Sequence, residues 1–567
     1  MKLGVAGMEP GQRTLNGPQT SGRTYRNLSE PAYTIVQEID VAVPMRDGIA
    51  LLADVFRPDS DAKFPALIAA SPYPRQIENS GAPMGFVEAG ATDFFVPRGY
   101  VHVIANVRGT AGSGGEYSFF GPVDRTDVYD LIEWAAAQPW CDGTVGMLGI
   151  SAFAIAQIQA AVENPPHLKC IFPMAVTTDI YEAAYHHGLL SKTFMLAWIR
   201  AVGVFSGLSD TFLRGKIVGL LEDVLRSPKV HAHFAHRNGE AALALMGPIV
   251  QGHHNPHPWD DLLNAVVFDH QTKDAFWQER DLTSLVSKIR VPVYLGCDWE
   301  NVPMHLPGTF TALDNIAEGV PVRVAMLGSF GMTWPWESMH VEALGWFDHW
   351  LKGRDTGIME GPPVRYILPG ADDVWRESPS WPPPESNAQV FFLRGDGTLS
   401  PQSGPHDTDR VYDHLPEALA SVRTPQNAVP ASLAWTTAPL ANDLDLAGKV
   451  RLRLNATISG GDTSWIVALQ DVAPDGTVVD VTAGWQRAAL RDLKTFEPAQ
   501  PDIPQHYEIA LVDNARRFKA GHSIRVLLRS DDTAGPEPIM GFRHAPIGIA
   551  SRNVIHAGSQ LSIDCMS

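Results

Sequence analysis

The segment Val145–Ala160, VGMLGISAFAIAQIQA, puts a serine where carbonyl chemistry can be done. A short apolar run ends at Leu148, Gly149-Ile150-Ser151-Ala152-Phe153-Ala154 follows, and an Ala-rich, helix-favouring stretch comes next. Strand, sharp turn and helix with a serine at the tip form a nucleophile elbow, which lifts the hydroxyl out of a sheet toward a substrate. The flanking positions must be small because strand and helix nearly touch there. Gly149 meets that need. The usual second glycine is absent: Phe153 stands two positions after Ser151, and small Ala154 stands three after. The backbone N–H of Ala152, at the start of the helix, is placed to donate to an oxyanion. The same string also fits a buried serine in an ordinary strand–helix turn, so Ser151 needs partners elsewhere before it can be read as a nucleophile.

The elements around it describe an α/β sheet. Ile35–Pro58 alternates, with Arg46-Asp47-Gly48 marking a hairpin turn. Apolar runs at Pro65–Ala70, Val101–Asn106, Leu168–Ala175, Val291–Gly296 and Val322–Gly328 read as buried strands. Asp124–Gln138 and Ser338–Lys352 read as helices. Ser71-Pro72-Tyr73-Pro74-Arg75 is a loop at the C-terminal end of a strand, where such sheets place ligands. The Gly-rich stretch Asn106–Tyr117 lacks both the Gly-Lys-Ser/Thr ending of a P-loop and dinucleotide-fingerprint spacing, and reads as a structural loop. About 110 helix-patterned residues separate Ala175 from Val291, an insertion that would cap the sheet. His253, His254 and His257 in this insertion have no carboxylate or cysteine at ligand spacing, so no metal is expected. After Gly353 the texture changes. Pro379–Pro384 is a stiff connector, and short alternating segments with turns at Asp396-Gly397 and Asp475-Gly476 describe an all-β sandwich.

Composition sets outer limits. A chain of 567 residues is too long for one core. The expected division is an N-terminal arm or disordered tail over 1–30, a core over 31–175 and 286–355, a helical cap over 176–285, and a β-sandwich over 356–567. The net charge of −19 disfavours nucleic-acid and anionic-membrane binding. No run approaches a membrane span, and no secretory signal is visible. The four cysteines are widely spread, without a CxxC pair, which suits free thiols in a reducing cytoplasm. The expected partner is a small-molecule substrate, with homo-oligomerisation left open and no cofactor implied.

Taken together, the chain resembles the cocaine esterase and X-Pro dipeptidyl-peptidase family of serine hydrolases, from about residue 35 to 565. The resemblance is carried by Met45-Arg46-Asp47-Gly48, Asn106-Val107-Arg108-Gly109-Thr110, Gln138–Gly146 and Gly149-Ile150-Ser151. Further on it is carried by Trp346–Gly353, Trp375-Arg376, Ser380-Trp381-Pro382-Pro383 and Gly521-His522. It implies an α/β-hydrolase core with an inserted helical cap and a C-terminal all-β jelly-roll domain that helps wall the active site. It also implies Ser151 as nucleophile and Tyr73 as the oxyanion-hole tyrosine, beside the Ala152 N–H.

The family pattern breaks at the other two triad positions. Its acid loop reads here Gly296-Cys297-Asp298-Trp299-Glu300-Asn301, which puts Asn301 at the acid's position. Its histidine loop reads Gly328-Ser329-Phe330-Gly331-Met332, which puts Met332 where the base should be. Methionine cannot take a proton, and asparagine cannot balance an imidazolium. Three readings follow. One is a hydrolase with a displaced triad, in which Asp298 (or Glu300) is the acid and a histidine from elsewhere is the base. His340 and His305 are nearest in sequence, and His186 and His187 of the cap are further candidates. The second is a pocket that keeps Ser151 and Tyr73 for cyclisation, elimination, isomerisation or acyl transfer. The third is a non-catalytic binding protein on the same fold. An ester or amide hydrolase with Asp298 and His340 in the displaced roles is the leading expectation.

Overall fold

The computed structural model describes residues 15, 17–235, 257–328, 331–333, 335–372, 374–404, 408–416, 431–533 and 542–566. Its first layer is a ten-stranded sheet. In chain order the strands are β1 (Ile35–Pro44), β2 (Ala50–Pro58), β3 (Phe64–Ser71), β4 (Val101–Asn106), β5 (Cys141–Ile150), β6 (Leu168–Met174), β7 (Val293–Asp298), β8 (Val322–Leu327), β9 (Val364–Ile367) and β10 (Trp375–Ser378). They lie side by side as β1-β2-β4-β3-β5-β6-β7-β8-β9-β10. β3 to β9 pair in parallel, and antiparallel strands close both edges. The central strands are buried on both faces; every residue of β3, β4 and β7 is buried. That is why their sequences are near-continuous apolar runs rather than alternating ones.

Three helices matter for the site. α1 (Pro122–Ala136) starts with a proline at its first turn, where no intrahelical N–H is needed. α2 (Ala152–Ala161) follows the elbow and is buried along its whole length. α5 (His340–Lys352) packs under the sheet and ends on Gly353 in the left-handed conformation. Between β6 and β7 the cap contributes α3 (Lys192–Gly207), and α4 (His305–Asn315) follows β7.

Residues 17–30 are bound along α5. The Ser21 hydroxyl and Tyr25 phenol donate to Glu342, and the Ser29 N–H and hydroxyl donate to Asp348 at 2.6 Å each. Low apolar content suggested a loose tail there, but buried carboxylates on α5 hold it through polar contacts.

The second layer is an 11-stranded all-β unit with its own apolar core, including Trp435, Trp465 and Tyr412. It touches the first layer where the acid loop lies. The Asn514 amide donates to the Trp299 carbonyl at 3.2 Å, and Trp381 packs between Trp299 and Phe310 with ring centres 5.3 Å from each. It also touches the cap, where Phe542 stacks on Phe194 at 5.0 Å. The four cysteines are free and buried. Among the described residues no helix is long and apolar enough to cross a membrane.

Candidate active site

Ser151 stands at φ 55°, ψ −119°, between the end of β5 and the start of α2. A non-glycine residue in that region carries about 1–3 kcal/mol of backbone strain, so its surroundings must hold it there. They do so through the backbone. The Ser151 N–H donates to Met174 O of β6 at 3.2 Å, and the N–H of Ile150 donates to Glu88 O at 3.3 Å. The Ser151 carbonyl accepts from Ala154 and Ile155 at 2.9 and 3.0 Å, which starts α2. Gln157 staples the turn to the next strand, donating to Gly149 O at 3.1 Å and accepting from the Phe172 N–H at 2.8 Å. Gly149 has φ +126°, and a Cβ there would fall 2.4 Å from Phe153 Cβ. The close approach inferred from the sequence is therefore between Gly149 and Phe153, which is why one glycine suffices.

Tyr73 is presented to Ser151 from the loop after β3. The Tyr73 N–H donates to Ser71 Oγ at 3.0 Å, and Asn106 at the end of β4 donates from its amide to Tyr73 O at 2.6 Å. The same Asn106 accepts the Arg75 N–H at 3.2 Å, so one side chain grips both sides of the loop. The phenol is buried, with its oxygen accepting the Trp198 indole N–H at 3.0 Å and lining the same cavity as Ser151. Burial, then the negative charge of Glu88, pushes its pKa well above the ordinary phenol value, so the O–H stays on. Phe86 packs against the ring at 4.7 Å. The loop carrying Phe86 and Glu88 is pinned by Glu78, which accepts the N–H groups of Glu88 and Ala89 at 2.8 and 3.0 Å. Burial pushes the Glu78 carboxyl up to about 8.

Ser151, Tyr73 and Ala152 line one small cavity of about 50 Å³. Phe119, Phe120 and Ile155 of the core wall it, as do Phe194, Met195 and Trp198 of α3. The spacing 194, 195, 198 places these three on one face of the cap helix. The structural loop Asn106–Tyr117 feeds directly into Phe119 and Phe120. Thr177 and His305 form the polar end, with Met304 beside them. The described lining residues lie between 73 and 305, and from the C-terminal β unit Phe542 stacks behind Phe194.

The acid/base candidates fall elsewhere. His340 is fully buried beneath Phe94, Phe95 and Trp336, with Nε2 accepting the Ala91 N–H at 3.0 Å and Nδ1 paired with Glu337 O at 2.6 Å. Both nitrogens are spoken for and the ring is not part of the cavity wall, so the expected role of His340 as base is corrected to that of a core histidine. Asp298 is also absent from the cavity lining. Its Oδ1 has no hydrogen-bond partner, its backbone carbonyl accepts the Asn301 N–H at 3.3 Å, and burial, then Glu300, pushes its carboxyl up to about 7. Among the described residues no contact joins this carboxyl to an imidazole and it lies off the cavity wall, so its expected role as acid is corrected to that of a buried carboxyl behind the site. Met332 is itself buried. Asn301 folds over the start of α4, its carbonyl accepting from the N–H groups of His305 at 3.3 Å and Leu306 at 3.0 Å.

The cap histidines do not face the cavity. His186 Nδ1 pairs with His544 Nε2 at 2.8 Å, and His544 Nδ1 with Asp532 at 2.7 Å, a chain joining cap to β unit. His187 pairs with Glu182 at 2.8 Å. His257 is exposed between Asp261 and Glu116, while His253 and His254 lie outside the described residues. Sequence reasoning did not find Trp198, Thr177 or Glu78. Trp198 and Thr177 work through contacts across the fold, Glu78 through the loop ten residues on, and only the amphipathic face of α3 offered a signal.

A parallel sheet with a serine strained at its elbow and a phenol set against it defines a serine-hydrolase scaffold of the α/β-hydrolase class. Models of two families match the chain: X-Pro dipeptidyl-peptidase (S15 family) over residues 47–319, and the X-Pro dipeptidyl-peptidase C-terminal non-catalytic domain over residues 356–563. Cocaine esterase of Rhodococcus sp. (strain MB1 Bresler) is 27% identical over 545 residues, covering 87% of this chain and 90% of that protein. A CocE/NonD family hydrolase from Staphylococcus aureus superposes with a TM-score of 0.74 at 20% identity, covering 94% of both chains. An α-amino acid ester hydrolase superposes at 0.67 and 18% identity, covering 98% of this chain and 100% of the other. The chain belongs to the cocaine esterase/X-Pro dipeptidyl-peptidase family of α/β-hydrolases.

Proposed function

We propose that this protein is a serine acyl hydrolase that takes an ester or amide with a small, uncharged acyl group. The observation that carries this reading is that Ser151, strained at the elbow, and the Tyr73 hydroxyl line one cavity whose walls are mostly apolar and carry no carboxylate among the described residues. Ser151 Oγ attacks the carbonyl carbon. The Tyr73 O–H and the Ala152 N–H hold the oxyanion, and water then clears the acyl-enzyme. A cavity of about 50 Å³ suits the acyl end alone, with the rest of the substrate outside it. Four buried free thiols fit a cytoplasmic setting.

The experiment is active-site labelling with a fluorophosphonate, followed by peptide mapping. The expected outcome is a single adduct on Ser151 in the wild type and none in Ser151→Ala, with turnover of para-nitrophenyl acetate lost in the same variant by about a thousandfold or more. Turnover that survives Ser151→Ala overturns the acyl-enzyme reading and favours a repurposed pocket, for which the altered residues Asn301 and Met332 already argue.

A further inference from the structure

We infer that His305 is the general base of this site, presented to Ser151 from the first turn of α4 and held in the proton-accepting tautomer by Thr177. The inference rests on the acyl-enzyme reading above. Among the described residues lining the cavity, His305 is the one side chain with a nitrogen lone pair that can accept a proton. The other polar groups there are two hydroxyls, a phenol held protonated by burial, and an indole N–H.

Its orientation follows from its neighbours. The Thr177 hydroxyl donates to Met304 O at 3.4 Å, which leaves its oxygen to accept from His305 Nδ1 at 2.9 Å. Nδ1 then carries the hydrogen, and Nε2 keeps its lone pair. That is the tautomer a base needs, fixed here by a neutral hydroxyl where most triads use a carboxylate. Asn301, at the family's acid position, accepts the His305 N–H on its carbonyl at 3.3 Å and at 3.4 Å on its side-chain oxygen. The residue that lost the acid function thus positions the replacement base. The absence of a balancing carboxylate agrees with the ring's environment, since burial pushes its pKa down to about 3.

The proton bookkeeping closes without a further reactant. As Ser151 Oγ bonds to the acyl carbon, its proton passes to His305 Nε2. As the bond to the leaving group breaks, that proton goes to the departing alkoxide or amine. Water then gives a proton to Nε2 and attacks the acyl carbon, and Ser151 Oγ leaves with the proton returned.

The test compares wild type, Ser151→Ala, His305→Gln, His305→Ala and Thr177→Val for fluorophosphonate labelling rate and para-nitrophenyl acetate kcat/KM across pH 4–9. His305→Gln is expected to lose about a hundredfold or more in both rates. In wild type the acid limb should lie below pH ~5, well under the ordinary imidazole value, and it should vanish in His305→Gln. Added imidazole should recover at least tenfold for His305→Ala, which a merely unfolded variant would not show. Thr177→Val should lose about tenfold in kcat with KM little changed. A His305→Gln enzyme within threefold of wild type and with the same pH profile overturns the inference while leaving Ser151 in place. Activity or labelling that survives Ser151→Ala, or a wild type inert to both probes, overturns the reading beneath it.

Discussion

The half of the site that holds charge on a substrate, after β3 and β5, and the half that would move protons, after β7 and β8, stand on one sheet, yet they are built differently. The first half, Ser151 and Tyr73, is over-determined. Asn106, Trp198, Gln157, Glu78 and the strand backbones all converge to hold one hydroxyl and one phenol in place. The second half, the loops after β7 and β8, carries Asn301 and Met332 at the family's acid and histidine positions. Asp298 is buried with Oδ1 unpartnered, Asn301 caps a helix start, and Met332 is packed in the core. Strain and preorganisation persist where transition-state charge must be met, because binding and oxyanion donors retain value even without a triad. A proton acceptor is a single group that a neighbouring loop can replace.

On this contrast, the largest effect outside Ser151 and His305 lies at Tyr73. Tyr73→Phe removes one oxyanion donor and is expected to lower kcat by about a hundredfold, with KM changed little. The indole N–H of Trp198 loses its acceptor in the same step, so a stability loss of about 1–3 kcal/mol should accompany it. Steady-state kinetics on para-nitrophenyl acetate together with urea unfolding separate the two. A Tyr73→Phe enzyme with unchanged kcat would dissolve the distinction between the halves.

Met332 tests the other half. It occupies the family's histidine position but is buried and lines no part of the cavity among the described residues. Met332→Ala should therefore cost about 2–5 kcal/mol of stability through the cavity it leaves. Its kcat/KM per folded molecule should stay within about threefold of wild type. A hundredfold fall in kcat/KM at an unchanged unfolding midpoint would return that position to the chemistry.

The difference between the halves also explains what could be read in the chain. Strands buried on both faces write themselves as apolar runs, so β3 to β8 were legible, as was the elbow, whose chemistry is local. Tyr73 was legible through the family's strand-end loop. His340 was misassigned because it lies eight residues beyond Met332 in sequence, whereas its ring turns under residues 91–95 on the far side of the loop. Trp198 and Thr177 reach their partners Tyr73 and His305 across 125 and 128 positions, and nothing local marks them. The same holds for the arm. Ser21 and Glu342 are 321 positions apart, and low apolar content says nothing about a carboxylate that far away.

Asp298 gives the smallest and most selective prediction. Its folded pKa of about 7 lies above the ordinary carboxylate value near 4, so the folded state holds this proton more tightly than the unfolded chain does. The stabilisation from this group is therefore complete below about pH 4 and is lost as pH rises to about 7, by up to about 1.4 kcal/mol per pH unit. An amide carries no such penalty, because it stays neutral at every pH while its oxygen can still accept a backbone N–H. Asp298→Asn should consequently gain on wild type between pH 5 and pH 8, with its Tm rising relative to wild type by several degrees, and its pH–rate profile should match that of wild type. Parallel melting curves at both pH values would mean that the carboxylate is ionised and matched by a partner. A shifted pH–rate profile would mean that it still communicates with the base. Either result would bring the two halves of the site closer together than the contacts around Asp298 imply.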